Sequence, residues 1–137
     1  KGDSDSNHAA ENGDIVAICD VRESELARKA KSPPFEKAQQ FTDFRKMLDE
    51  VGKSIDGVTV STPDHTHAPA AALAIRMGKH VYCQKPLTHS IYEARTLADL
   101  TRKHNVMTQM GNQGTALEGL HLAAQVVKDG HLGTVKE

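Results

Sequence analysis

The sequence predicts an α/β fold, a doubly wound parallel sheet with helices on both faces. Strand-like and helix-like segments alternate from one end of the 137 residues to the other. The strand-like runs are continuously apolar rather than alternating, the pattern of strands buried on two sides. The stretches between them are long enough to hold crossover helices, and right-handed crossovers bring every strand's C-terminal end to one edge of the sheet.

Taken in order, "DIVAICD" (14–20) is a short β-branched run ending in an acid and reads as a buried strand. "VRESELARKAK" (21–31) follows as a helix, stopped by Ser32, Pro33 and Pro34. "QQFT" is a short strand, and 43–53 is a helix with Phe44, Met47, Leu48 and Val51 on one face. A strand from Gly57 to Ser61 is broken by Pro63. Leu73 and Met77 mark the inner face of the next helix, with Gly78 as its cap. "HVYC" is a strand, "QKPLTH" a loop, and Ile91, Ala94, Leu97 and Ala98 line one side of a further helix. "VMTQM" is the last strand and "GNQGT" the loop after it; the final helix turns Leu117, Leu120, Ala124 and Val127 inward and ends near Gly130.

Composition narrows the class. Hydrophobic residues are 38% and charged residues 26%, as in globular chains, and the net charge of −1 offers nothing to nucleic acid or an anionic membrane surface. No apolar run approaches the roughly 20 residues of a membrane helix. Cys19 and Cys83 lie far apart and each ends an apolar run, which fits reduced buried thiols rather than a disulfide framework. The opening "KGDSDSNHAAENG" has no initiator Met and no leading strand, and "GTVKE" stops where a strand begins, so a piece truncated at both ends is expected. Location is cytoplasmic by default, with a periplasmic or secreted parent left open.

Four polar loops fall on the predicted ligand edge. Asp20 ends the second strand of a dinucleotide-binding unit, where an acid accepts hydrogen bonds from ribose hydroxyls and disfavours the extra phosphate of NADP. Capping the next helix is the plainer use of Asp20. Gly2 stands 18 positions before it, where a glycine fingerprint would end, and "DSDSNHAAEN" follows as the helix facing a pyrophosphate. "STPDHTH" sets Thr62 and Pro63 at a strand tip and His65 and His67 two apart, pointing one way in an extended segment. A zinc site could use that pair, but no further ligand has fitting spacing, so no metal is assigned. Lys85 follows a strand and precedes Pro86, which biases it to an extended conformation. A lysine there can donate to a substrate hydroxyl or help move its proton, although a lone loop lysine is usually just solvated. Gln84 donates and accepts without charge, and Asn112 and Gln113 sit between two glycines, as a ligand loop or an ordinary turn would have them.

Together "VAICD", "VTVSTPDHTHAPAA", "GKHVYCQKPLTHSIYEA" and "TQMGNQG" resemble the Gfo/Idh/MocA oxidoreductases, over Ile15 to Val135. The resemblance implies a Rossmann domain over 1–133, without its first strand and most of its glycine fingerprint. It implies that 134–137 open a C-terminal α+β substrate domain. By it Asp20 is the ribose acid, Thr62, Pro63, His65 and His67 belong to the loop along the cofactor, and Asn112 and Gln113 to the polar loop after the following strand. Lys85 and Pro86 resemble the end of the family's E-K-P motif, whose lysine contacts cofactor and substrate. Gln84 stands where the family usually has Glu. The family's catalytic His lies in the second domain.

The implied function is the NAD-binding part of an oxidoreductase that transfers hydride at a carbinol carbon of a sugar, polyol or sugar derivative, with this piece alone inactive and the parent a homo-oligomer through its C-terminal domain. An NAD-retaining glycoside hydrolase or lyase of the same family and a non-catalytic NAD-binding regulator are the alternatives.

Overall fold

The computed structural model describes residues 2–134 and 136; the strand start expected at 134–137 falls partly on positions 135 and 137, outside the described residues. The elements run α1 (Gly2–Ala10), β1 (Ala17–Cys19), α2 (Glu23–Lys29), β2 (Gln39–Phe41), α3 (Phe44–Val51), β3 (Gly57–Val60), α4 (His67–Arg76), β4 (His80–Gln84), α5 (Ile91–His104), β5 (Thr108–Gly111), α6 (Gln113–Ala116) and α7 (Glu118–Lys128). Single 3-10 turns occur at Pro33–Phe35, Gly52–Ser54 and Asp64–Thr66. Among the described residues no helix is long and apolar enough to cross a membrane.

All strand pairings are parallel, and the fold is of the Rossmann type. β1 pairs with β2, Ala17 opposite Gln39 and Cys19 opposite Phe41. β3, β4 and β5 form a second sheet in that order, with Val60 opposite Cys83 and Gln84 opposite Gly111. Among the described residues no ladder joins β1 to β3. A cavity of about 1880 Å³ is lined by Ala17, Ile18 and Cys19 of one strand and Val58, Thr59 and Val60 of the other.

The main core lies where α3, α4 and α5 meet β3 and β4, around Leu48, Ile75, Val81, Cys83 and Leu97. α3 follows its sequence pattern: Met47, Leu48 and Val51 are buried and Phe44 packs against the cluster. Asp43 caps it, accepting the Arg45 amide at 2.9 Å. α4 departs from expectation. Its buried residues are His67, Ala68, Ala70, Ala71, Ala72, Ala74 and Ile75, whereas Leu73 is half-buried and Met77 is exposed beyond the helix end. Packed against the sheet, α3 and α5 at once, α4 buries small side chains over much of its circumference, and a one-face spacing does not describe it. Gly78 follows with φ +74°, the left-handed position that ends such a helix.

Two later helices also depart from their patterns. On α5 Leu97 is buried and Ala94 half-buried, but Ile91 and Ala98 are exposed. Its start is fixed by Ser90, whose Oγ accepts the Glu93 amide while Glu93 accepts the Ser90 amide. On α7 the expected inward residues Leu117, Leu120, Ala124 and Val127 are all exposed, and among the described residues none of the helix is buried. Periodicity identified its apolar face but not what covers it. The "GNQGT" segment is not wholly loop, since Gln113 begins the single turn of α6.

α1 is held from two sides. Lys29 of α2 donates to Asp3 Oδ1 at 2.9 Å and Asn7 Oδ1 at 2.6 Å, and its ammonium lies 4.1 Å from the Phe35 ring centroid. Ser61, just past β3, donates to Asp5 Oδ2 at 2.6 Å, which pins the first turn of α1 to that end of the sheet.

Candidate functional site

Parallel register puts the loops after β3, β4 and β5 on one edge, so Thr62, Lys85 and Asn112 share it. From the other sheet, the large cavity adds Asp20 beyond β1 and Gly2 at the start of α1. Gly2, Asp20, Thr62, Pro63 and His65 all line that one cavity. Gln84, Lys85, Pro86, His67, Asn112 and Gln113 are not among its walls.

Asp20 does not cap α2, whose cap position is Arg22 without a side-chain bond; its Oδ1 accepts the Arg22 amide at 2.8 Å in the turn before the helix. Its Oδ2 has no hydrogen-bond partner among the described residues, so one carboxylate oxygen is left to accept from a ligand. Cys19 beside it is half-buried, and burial, then the negative charges of Asp43 and Asp20, push its thiol up to about 11. A Cβ on Gly2 would meet the Ser61 carbonyl oxygen at 3.5 Å, an ordinary contact. The protein itself therefore does not demand glycine there.

His65 and His67 do not point one way. Pro63 ends the extended segment, residues 64–66 form a 3-10 turn and His67 opens α4, so His65 is exposed while His67 is 1% exposed. Both ring nitrogens of His67 meet backbone carbonyls, Nδ1 at 2.6 Å from Pro86 O and Nε2 at 2.8 Å from Thr62 O. The ring expected along the cofactor is instead buried between two loops. Among the described residues no three His, Cys, Asp or Glu side chains gather as a metal site.

Lys85 is exposed just beyond β4, and the Lys85–Pro86 peptide is cis. Gln84 is 3% exposed, and its Oε1 accepts the Lys85 amide at 3.1 Å. The loop after β5 is tied down from the same place, as Gln113 Nε2 donates to Tyr82 Oη at 2.9 Å. Asn112 turns back on its own segment, its Nδ2 donating to Thr115 Oγ1 at 2.8 Å. Tyr82, Gly111 and the Asp5–Ser61 pair were missed in the sequence. Tyr82 sat inside an apolar strand run, and nothing in the order of residues told that Gly111 would face Gln84.

The family whose model matches residues 4–112 is Gfo/Idh/MocA, described as an oxidoreductase family with an NAD-binding Rossmann fold. An inositol 2-dehydrogenase of Klebsiella pneumoniae is 29% identical over 120 residues, which make up 87% of this chain and 35% of that protein. A levoglucosan dehydrogenase of Pseudarthrobacter phenanthrenivorans is 28% identical over 94 residues, 69% of this chain and 24% of that one. Among solved structures, scyllo-inositol dehydrogenase from Lactobacillus casei, with bound NAD(H) and scyllo-inositol, is similar with a TM-score of 0.74 at 26% identity. That match covers 87% of this chain and 34% of the other. The chain spans about a quarter to a third of the length of these relatives.

Proposed function

The chain belongs to the Gfo/Idh/MocA oxidoreductase family, and from that premise we propose that it is the nucleotide-binding part of an NAD-dependent oxidoreductase acting on a sugar, polyol or sugar derivative. The observation that carries the proposal is the single cavity walled by Gly2, Asp20, Thr62, Pro63 and His65, with Lys85 on the neighbouring loop of the same edge. The relatives' names, inositol 2-dehydrogenase and levoglucosan dehydrogenase, support the substrate class.

The residues fit the cofactor. Asp20 Oδ2 accepts from ribose hydroxyls, and its charge favours NAD over NADP. Thr62, Pro63 and His65 line the nicotinamide side, and Asn112 and Gln113 close the edge beyond Lys85. NAD, when bound, supplies the two-electron redox chemistry. Lys85 Nζ donates to the reacting substrate hydroxyl, fixes its orientation and helps carry its proton. Gln84, holding the Lys85 amide, sets where that side chain starts.

We assign residues 1–133 to the nucleotide-binding domain and 134–137 to the opening of a second domain, which contributes a catalytic His and the oligomer contacts. The cavity is larger than the roughly 300–1,000 Å³ of ordinary ligand sites. The excess fits a further parallel strand between the unpaired edges of β1 and β3, followed by α1. The test is NADH formation by the full-length protein with NAD and a panel of polyols and sugars. Lys85→Ala should retain NAD binding and lose most of its turnover while leaving a measurable residual rate; absence of NAD binding would overturn the proposal.

A further inference from the structure

His67 holds together the two loops that carry the proposed chemistry. It opens α4, is 1% exposed, and bridges Thr62 O at 2.8 Å and Pro86 O at 2.6 Å. The first carbonyl belongs to the loop that presents Pro63 and His65, the second to the turn that presents Lys85. Both are backbone oxygens, which only accept, so each ring nitrogen bonds its partner only when it carries a hydrogen. One tautomer holds Pro86, the other holds Thr62, and the ring with a hydrogen on each nitrogen holds both. The ring is too enclosed to meet a ligand, and its action must pass through what it fixes.

We propose that His67 is a positioning residue that sets the Lys85–Pro86 turn against the Thr62–Pro63 turn and so aims Lys85 at the substrate. The inference rests on the proton-handling role given to Lys85 above. An ammonium displaced by about 1 Å loses up to about 100-fold in rate through misalignment, while the ribose contact proposed for Asp20, on a loop that His67 does not touch, stays in place.

The experiment is a double-mutant cycle in the full-length protein: His67→Leu and His67→Gln, each alone and combined with Lys85→Ala, with kcat, KM and NAD affinity measured for all. His67→Leu should lower kcat by about 10- to 100-fold, a larger factor than its loss of NAD affinity, because the ribose contact at Asp20 remains. His67→Gln, which keeps an amide donor, should recover part of the loss. In the Lys85→Ala background neither substitution should lower kcat further, because the group they aim is gone. If His67→Leu does not fold, His67→Gln is read by the same criterion. Equal losses in both backgrounds would show a general structural role and overturn this inference while leaving Lys85 in place. Full turnover by Lys85→Ala alone would overturn the lysine's role and this inference with it.

Discussion

Gly111 lies so close to Gln84 that a Cβ on the glycine would sit 2.8 Å from the Gln84 amide carbon and nitrogen, and 2.8 Å from the Tyr82 hydroxyl. The two residues are register partners across β4 and β5. The glycine makes room for a buried amide whose oxygen receives the Lys85 N–H. Gln84 is thus a fitted part of the lysine turn, and the glycine before Asn112 is there for packing.

Gly111→Ala should therefore destabilise the protein by about 1–3 kcal/mol through overpacking. Because the displaced amide is the one under Lys85, turnover in the full-length protein should fall as well. Thermal melts and initial rates check both; an unchanged melting temperature would mean that the Gln84 amide and the Tyr82 hydroxyl swing aside without cost.

The acid side of stability should depend on Asp43. The Arg45 guanidinium, then the Arg45 amide, hydrogen-bond its carboxyl and hold it down at about 2, against an ordinary 3.8. The folded value lies below the unfolded one, so this contribution is complete above the ordinary value and is lost as pH falls toward the folded value. Asp3, lowered by its hydrogen bond to Lys29, acts in the same direction. Asp43→Asn keeps a good helix cap but removes the charge. Urea melts between about pH 5 and 2 should show a shallower decline for the variant than for the wild type.

Neither cysteine should behave as a reactive thiol. Burial raises Cys83 to about 11, and burial with Asp43 and Asp20 raises Cys19 to about 11. At neutral pH the thiolate fraction is then minute. A chromogenic disulfide reagent should label both rapidly in denaturant and neither in the native protein within the same time. Fast native labelling of Cys19 would show that the β1 end opens more than its half-burial implies.

Among the described residues no ladder joins β1 to β3, and the slot between them predicts how the 137-residue chain behaves on its own. Two unpaired parallel edges face a wide cavity, and such edges pair with other chains. The 137-residue chain should therefore melt broadly and associate in solution. A sharp melt of a monodisperse 137-residue chain would show that the two strand edges are already covered.

Much of the fold was legible because short apolar runs and their helical connectors carry local signals. The strands at Ala17 and Gly57 fall inside the runs that predicted them, and those at His80 and Thr108 each extend one residue past theirs, to Gln84 and Gly111. The ligand edge follows from the handedness of parallel crossovers, which is why Asp20, Thr62 and Lys85 fall on it from strand order alone. What failed depended on neighbours distant in sequence. α4 buries alanines because three elements surround it, and α7 exposes an apolar face that periodicity assigned inward. His67 was placed beside His65 by counting residues in an extended chain, and the turn at residues 64–66 rotated it into the protein. The Gln84–Gly111 contact is a register property, invisible until the strands are aligned.

The central claim is that Asp20 holds the ribose of NAD in the cavity between the sheets. Titration of NAD and NADP into the full-length protein and its Asp20→Ala variant tests it most directly. A lost hydrogen bond to a charged group is worth about 1.5–3 kcal/mol, so NAD should bind roughly 10- to 100-fold more weakly to the variant. The preference for NAD over NADP should shrink with it. Equal NAD affinity in the two proteins, with the fold intact, would contradict the account.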